Sequence, residues 1–138
     1  MDTVRNQVII DTDIMVDLLR GKEKVVAFIA DLEKRGLTLS TTSINAFELF
    51  YGACKSKKKL QNLAAARKLL GRLIVLKLGL KSAEKAGQIY AELEGAGQPV
   101  GLRDVMVGAI AMVGGCAMVT RNVVHLKKIK GLNLMVAP

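Results

Sequence analysis

Asp11 and Asp13 stand two residues apart in "VIIDTDIMVDLL", directly behind an apolar run. A carboxylate that closes a buried strand is costly unless a cation or strong donors lie beside it. The ordinary role for either acid is to N-cap the helix that follows, but a cap needs only one of them, which leaves the other for chemistry. Glu48 comes next, in "INAFELFYGACK". Read as helix, it lies four residues after Ile44 and three before Tyr51, with Phe47 beside it, on a stripe expected to face inward. Glutamate is seldom buried without a partner. No base lies within helical reach on its N-terminal side and Lys55 has the wrong spacing, so a salt bridge from elsewhere in the chain is the plain alternative to a site role. Asp104 opens "LRDVMVGAIAMVG", where a first-turn acid is favoured by the helix dipole in any case. "VTRN" puts Thr120 and Asn122 where the chain leaves a strand; Asn122 either caps the next turn or offers a neutral oxygen.

Carboxylates that converge in a basic protein suit a hard divalent cation, since Mg2+ takes oxygen ligands, keeps several waters and uses few protein carboxylates. Asp11, Glu48 and Asp104 are the expected ligands, with Asp13 and Thr120 as accessories. A fold that kept the three apart, or locked each to an arginine or lysine, would defeat that expectation. A zinc site is excluded by the donor set: His125 is the sole histidine and reads as a scaffold or surface residue. No phosphate-cradling glycine loop, dinucleotide fingerprint or GxSxG elbow occurs, and neither cysteine has a histidine arranged for nucleophilic catalysis.

These residues need a scaffold that brings strand ends together. "QVII", "LTLST", "LIVLKL", "CAMVT" and "LNLMVA" read as strands. Between them lie helical patterns: "TDIMVDLLRG", "KEKVVAFIADLEKRG", "INAFELFYGACK" with Ser43 as N-cap, "KKLQNLAAARKLLGRL", Ser82 to Gly95, and "LRDVMVGAIAMVG", apolar on nearly every face and so expected to be buried. "VVHLKKI" is a short helix or turn. Alternating strands and helices imply one α/β domain over residues 1–138, a three-layer α/β/α sandwich around a mostly parallel sheet of four to five strands. Ligands of such sheets bind at the carboxyl ends of the strands, where Asp11, Asp13, Thr120 and Asn122 fall.

The chain carries 21 Lys and Arg against 12 Asp and Glu, a formal net charge of +9, which attracts polyanions such as nucleic acid. Lys55, Lys57, Lys58 and Lys59 follow the Glu48 helix, and Arg103 and Arg121 each neighbour a site residue; all six are candidates to contact the phosphates of such a polyanion. A solvated helix start is the plainer reading of the lysine cluster. Aromatic residues are too few for a base-stacking platform. Cys54 and Cys116 lie in apolar surroundings without CxxC spacing and are expected to be buried free thiols of a reducing cytoplasm. No secretory signal is visible, and the longest uncharged run falls short of a bilayer span.

Taken together, "VIIDTDIMVDLLRG", "STTSINAFELFYGA", "GLRDVMVGAIA" and "MVTRNVVHLKKIKGLNL" resemble PIN-domain proteins, and more narrowly the VapC-type ribonuclease toxins of prokaryotic toxin–antitoxin pairs. The resemblance covers almost the whole chain. It implies a flavodoxin-like sandwich, Mg2+- or Mn2+-dependent endoribonuclease activity, a homodimer and a small cognate antitoxin. Residue by residue it maps catalytic roles onto Asp11, Glu48 and Asp104, and a fourth onto Asn122, where many members have Asp. Two rival readings are a catalytically weak PIN-like nucleic-acid-binding module and an aspartyl-nucleophile phosphatase of the haloacid-dehalogenase type. "DTD" opens the latter's motif, but Met15 stands where that motif wants Thr or Val, and no acid follows Asp104.

Overall fold

A computed structural model describes residues 6–138; the first five residues of the expected 1–138 domain lie outside the described residues. In chain order the elements are β1 (Gln7–Ile10), α1 (Thr12–Leu19), α2 (Glu23–Lys34), β2 (Thr38–Thr42), α3 (Ser43–Lys55), α4 (Lys59–Leu70), β3 (Ile74–Leu76), α5 (Leu80–Gly95), α6 (Leu102–Gly114), β4 (Ala117–Thr120), α7 (Val123–Leu126) and β5 (Leu134–Val136). All five strands are parallel, in the order β3-β2-β1-β4-β5. Parallel strands joined through helices bury both faces of the sheet, which is why the β1 and β4 sequences are apolar at nearly every position.

Side-chain alternation divides the core. Val8, Ile10 and Val119 point to one face and meet Ile14, Met15, Ile29, Leu32 and Leu70 of α1, α2 and α4. Ile9 and Met118 point to the other and meet Ile89, Leu93, Val105, Ile110 and Leu126 of α5, α6 and α7. The chain leaves β1 for β2 on one side and reaches β4 on the other, so the strand order reverses at β1 and opens a crevice beyond the carboxyl ends of β1 and β4. The Asp11 N–H donates to the Val119 carbonyl (3.0 Å), carrying the β1–β4 pairing one residue past the strand and fixing Asp11 at that crevice.

Boundaries differ from the sequence reading in small ways. Thr42, not Ser43, caps α3: its Oγ1 accepts from the Asn45 N–H at 3.2 Å while the Ser43 side chain is exposed. Helix α5 begins at Leu80, two residues before Ser82. Helix α6 is buried along Val105 and Val107–Ala111 and stops at Gly115, whose φ of +67° turns the chain into β4. Cys116 is buried, and burial pushes its thiol pKa up, but Cys54 is exposed, since Ala53 takes the inward position at the end of α3.

Candidate active site

Four elements supply the site. Asp11 leaves β1 and starts α1, Glu48 sits on α3, Arg103 and Asp104 form the first turn of α6, and Thr120 and Asn122 leave β4. Asp11, Thr12, Asp13, Glu48, Arg103, Asp104 and Asn122 line an open cavity of about 310 Å³.

Asp11 is 3% exposed and both of its oxygens are engaged. Oδ1 accepts from the Thr12 N–H (2.9 Å), Asn45 Nδ2 (2.9 Å) and an Arg103 nitrogen (2.6 Å); Oδ2 accepts from the Thr120 hydroxyl (2.8 Å). It stands at the N-cap position of α1 and points into the cavity at the same time. Asp13 accepts from its neighbour's N–H at Ile14 (2.8 Å) and from the Arg121 N–H (3.3 Å). Burial, then the charge of Asp11, raises the Asp13 pKa above the usual carboxylate value despite those donors.

Arg103 occupies the centre. Its Nε donates to Glu48 Oε2 (2.9 Å), one terminal nitrogen to Glu48 Oε1 (2.7 Å) and Asp11 Oδ1 (2.6 Å), and the other to Asp104 Oδ1 (2.8 Å). Burial works against the guanidinium charge, but the Glu48 hydrogen bond, the Asp11 charge and the Asp104 hydrogen bond outweigh it and hold the pKa above the ordinary arginine value. The expectation of unpaired acids is therefore wrong: each is locked to an arginine, the outcome that counts against a standing cation site. The arginine is, however, the same one for all three. One guanidinium against three carboxylates leaves two negative charges uncompensated in the crevice.

The donor chemistry fits a hard divalent cation, because every cavity-lining donor other than Arg103 offers oxygen. Among the described residues no three acids, histidines or cysteines are grouped as metal ligands, since the acids are spread around the guanidinium.

Other expectations shift as well. Arg121 is turned onto Asp17 and the Pro138 carbonyl (2.9 Å), so neither Arg103 nor Arg121 is a free phosphate contact in this structure. Asn122 lines the cavity, and its side chain makes no capping bond to α7. The stripe carrying Glu48 does not face inward: Phe47 and Tyr51 stack on each other at the surface, 65% and 54% exposed, and the buried face of α3 is Asn45, Leu49 and Ala53. His125 is exposed. Lys55 at the end of α3, Lys57 and Lys58 in the turn after it and Lys59 at the start of α4 are all exposed, with the Lys55 ammonium 5.0 Å from the Tyr51 ring centroid.

The sequence reading passed over Asn45 and Thr12. Asn45 is fully buried, accepts from the Thr42 hydroxyl (2.6 Å) and donates to both Asp11 and the Thr12 hydroxyl, which in turn donates to Glu48. Its signal was available: three residues before Glu48, it shares that side of the helix. Asn45→Ala is expected to lower stability by about 1–3 kcal/mol, because it removes a donor from Asp11 and leaves the buried Thr42 hydroxyl without its acceptor. Denaturant unfolding checks this, with a smaller loss expected for Asn45→Ser.

Known proteins with this organisation are consistent in kind. The PIN domain pattern matches residues 8–132. The chain is 33% identical over 123 residues to the tRNA(fMet)-specific endonuclease VapC of Shigella flexneri, covering 89% of this chain and 92% of the relative. It superposes on VapBC2 of Rickettsia felis, solved bound to a DNA fragment from its promoter, with a TM-score of 0.89 at 28% identity over 96% of this chain and 99% of that one. DNA-bound VapBC of Salmonella typhimurium gives a TM-score of 0.85 at 31% identity, over 94% and 97% of the two chains.

Proposed function

The chain belongs to the PIN-domain family, and from that premise we propose that it is a divalent-metal-dependent endoribonuclease, the toxin of a toxin–antitoxin pair, using Mg2+ with Mn2+ as a substitute. The observation that carries this reading is the meeting of Asp11, Glu48 and Asp104, distant in sequence, at one guanidinium beyond the strand ends. The phosphatase reading has no support in the comparisons.

Asp11, Glu48 and Asp104 would hold the cation, and Asn122, which lines the same cavity, would offer a neutral oxygen. Such a cation, when bound, would supply Lewis-acid activation of water and charge compensation at the phosphate. The chain's own residues do the rest. Thr120 and Asn45 hold the two Asp11 oxygens in fixed orientation, and Thr12 does the same for Glu48. A carboxylate facing the cavity orients the attacking water and accepts its proton. Asn122, where many family members carry Asp, lowers the site's charge by one, which argues for a single cation. The lysines beyond α3 attract the RNA backbone without reading its sequence, so selectivity rests on RNA shape.

The relatives' complexes support a cognate antitoxin as partner of this chain. An apolar groove of about 420 Å³ among α1, α2 and α4, lined by Leu18, Leu19, Val26, Ile29, Leu69 and Leu73, suits a partner's apolar segment. No helix among the described residues is long and apolar enough to cross a membrane; a cytoplasmic homodimer completes the proposal.

The test is cleavage of total cellular RNA. Discrete products are expected with Mg2+, none with EDTA, and recovery on adding Mg2+ back. Cleavage undiminished in EDTA refutes the metal dependence, and no cleavage under any divalent cation refutes the nuclease.

A further inference from the structure

Arg103 is an unusual residue to find in the first turn of a helix. The N-terminal end of α6 carries a partial positive charge, and a cation there is disfavoured. Gly101 provides no side-chain cap, and within α6 the guanidinium meets the Asp104 carboxylate alone. What holds it is the acid set: all of its nitrogens are spent on Glu48, Asp11 and Asp104, with one also 3.2 Å from the Thr12 hydroxyl.

Those are the same oxygens a divalent cation would take. A planar guanidinium and a metal ion cannot share them, since both need the inward lone pairs and the two positive charges repel at that distance. The guanidinium also fails to neutralise its surroundings, while a doubly charged ion comes closer. The Arg103 side chain is 29% exposed and borders the open cavity, so it can leave by rotating into solvent without repacking the core.

We propose that Arg103 is a displaceable internal counterion: it fills the acids' common site when no cation is bound, and an entering divalent cation expels it. The inference rests on the metal-dependent reading above and adds a property to it. The acids exist in two exclusive arrangements, closed on Arg103 or open to metal, so the apparent metal affinity is the intrinsic affinity reduced by the fraction of open sites. The chain thereby sets a threshold of cation concentration below which the acids stay paired. When expelled, Arg103 stays at the cavity mouth, where an RNA phosphate would arrive.

The test reads Mn2+ binding directly, from the electron paramagnetic resonance signal of free Mn2+ during titration of wild type, Arg103→Ala and Arg103→Lys, with thermal melting in EDTA alongside. Arg103→Ala is expected to bind Mn2+ at least about tenfold more tightly than wild type. Arg103→Lys, which places one point charge where the fork served three acids, is expected to fall between them. In EDTA, Arg103→Ala should melt below wild type because its acids lose their counterion, and Mn2+ should raise its melting temperature by more than it raises that of wild type. If the alanine variant does not fold in EDTA, Arg103→Gln takes its place, with the same tighter binding expected. Equal or weaker Mn2+ binding by the neutral variants overturns the displacement while leaving metal dependence intact. Absence of Mn2+ binding by every protein, wild type included, overturns the metal reading and the displacement with it.

Discussion

Glu48→Gln and Asp11→Asn are each expected to lower RNA cleavage by at least about a hundred-fold while leaving the fold intact. The two halves of that result come from the same arithmetic. Three carboxylates surround one guanidinium, so the metal-free site carries two excess negative charges. An amide of the same shape removes one of them and still offers an oxygen to Arg103. For Glu48, the amide NH2 must face an Arg103 N–H that now donates to the carboxylate, which offsets the relieved repulsion; with the side chain 31% exposed water screens both, so the variant's melting temperature in EDTA should stay close to that of wild type. Asp11 is more deeply set, and its amide must place an N–H where Oδ2 now accepts from Thr120. The hydroxyl can rotate to accept instead, so the loss there is small. What neither amide can do is present an anionic oxygen to a cation or take a proton from an attacking water. Single-turnover cleavage of end-labelled RNA, paired with melting curves in EDTA, reads both halves. Cleavage within a few-fold of wild type in both variants removes these acids from the chemistry. A collapse of the fold in both assigns them a structural role.

Much of this site was legible in the sequence, and the parts that were not share a cause. Strand ends were visible because a buried parallel strand is an unbroken apolar run, and Asp11 interrupts one at its end. The alternation of strands and helices gave the layers, and from the layers followed where chemistry could collect. Local pattern could not say which cation would meet the acids. Arg103 lies 55 residues from Glu48 and 92 from Asp11 in the chain, and it was read as a substrate contact because only its neighbour Asp104 was in view. Arg121 was read in the same way, and its partner Asp17, buried on α1, lies 104 residues away in the chain. The inward stripe assigned to α3 failed for a different reason. Phe47 and Tyr51 are apolar by type, whereas the core side of that helix is organised around Asn45, a polar residue whose hydrogen bonds satisfy it. Hydrophobic periodicity places the rows of a helix but cannot by itself say which row is buried when a polar network is part of the core.

Replacing Lys55, Lys57, Lys58 and Lys59 together by glutamine is expected to weaken RNA binding at least about tenfold at low salt, with little change in cleavage rate once RNA is saturating. The geometry ties this cluster to the site. Lys55 follows Glu48 by seven residues on α3, about 10 Å along the axis, and Tyr51 lies between them with the Lys55 ammonium 5.0 Å from its ring centroid. On the proposed reading, a strand of RNA with one phosphate at the acids would bring its neighbouring phosphates toward Lys55 and the lysines that follow it. With Arg103 and Arg121 both held by the chain's own carboxylates, these lysines are the free cations nearest in sequence to Glu48. Binding should be measured on the Glu48→Gln background, so that RNA survives the titration, across a series of salt concentrations. Each phosphate contact to a single strand contributes about 0.7 to the slope of log affinity against log salt, so losing four flattens that slope by up to about 3. The matched control replaces Lys81 and Lys85 of α5, which the same electrostatics predicts to alter the slope far less. A slope that four glutamines leave untouched would show the α3–α4 lysines to be ordinary solvated charge, and the RNA path would have to cross the site from another side.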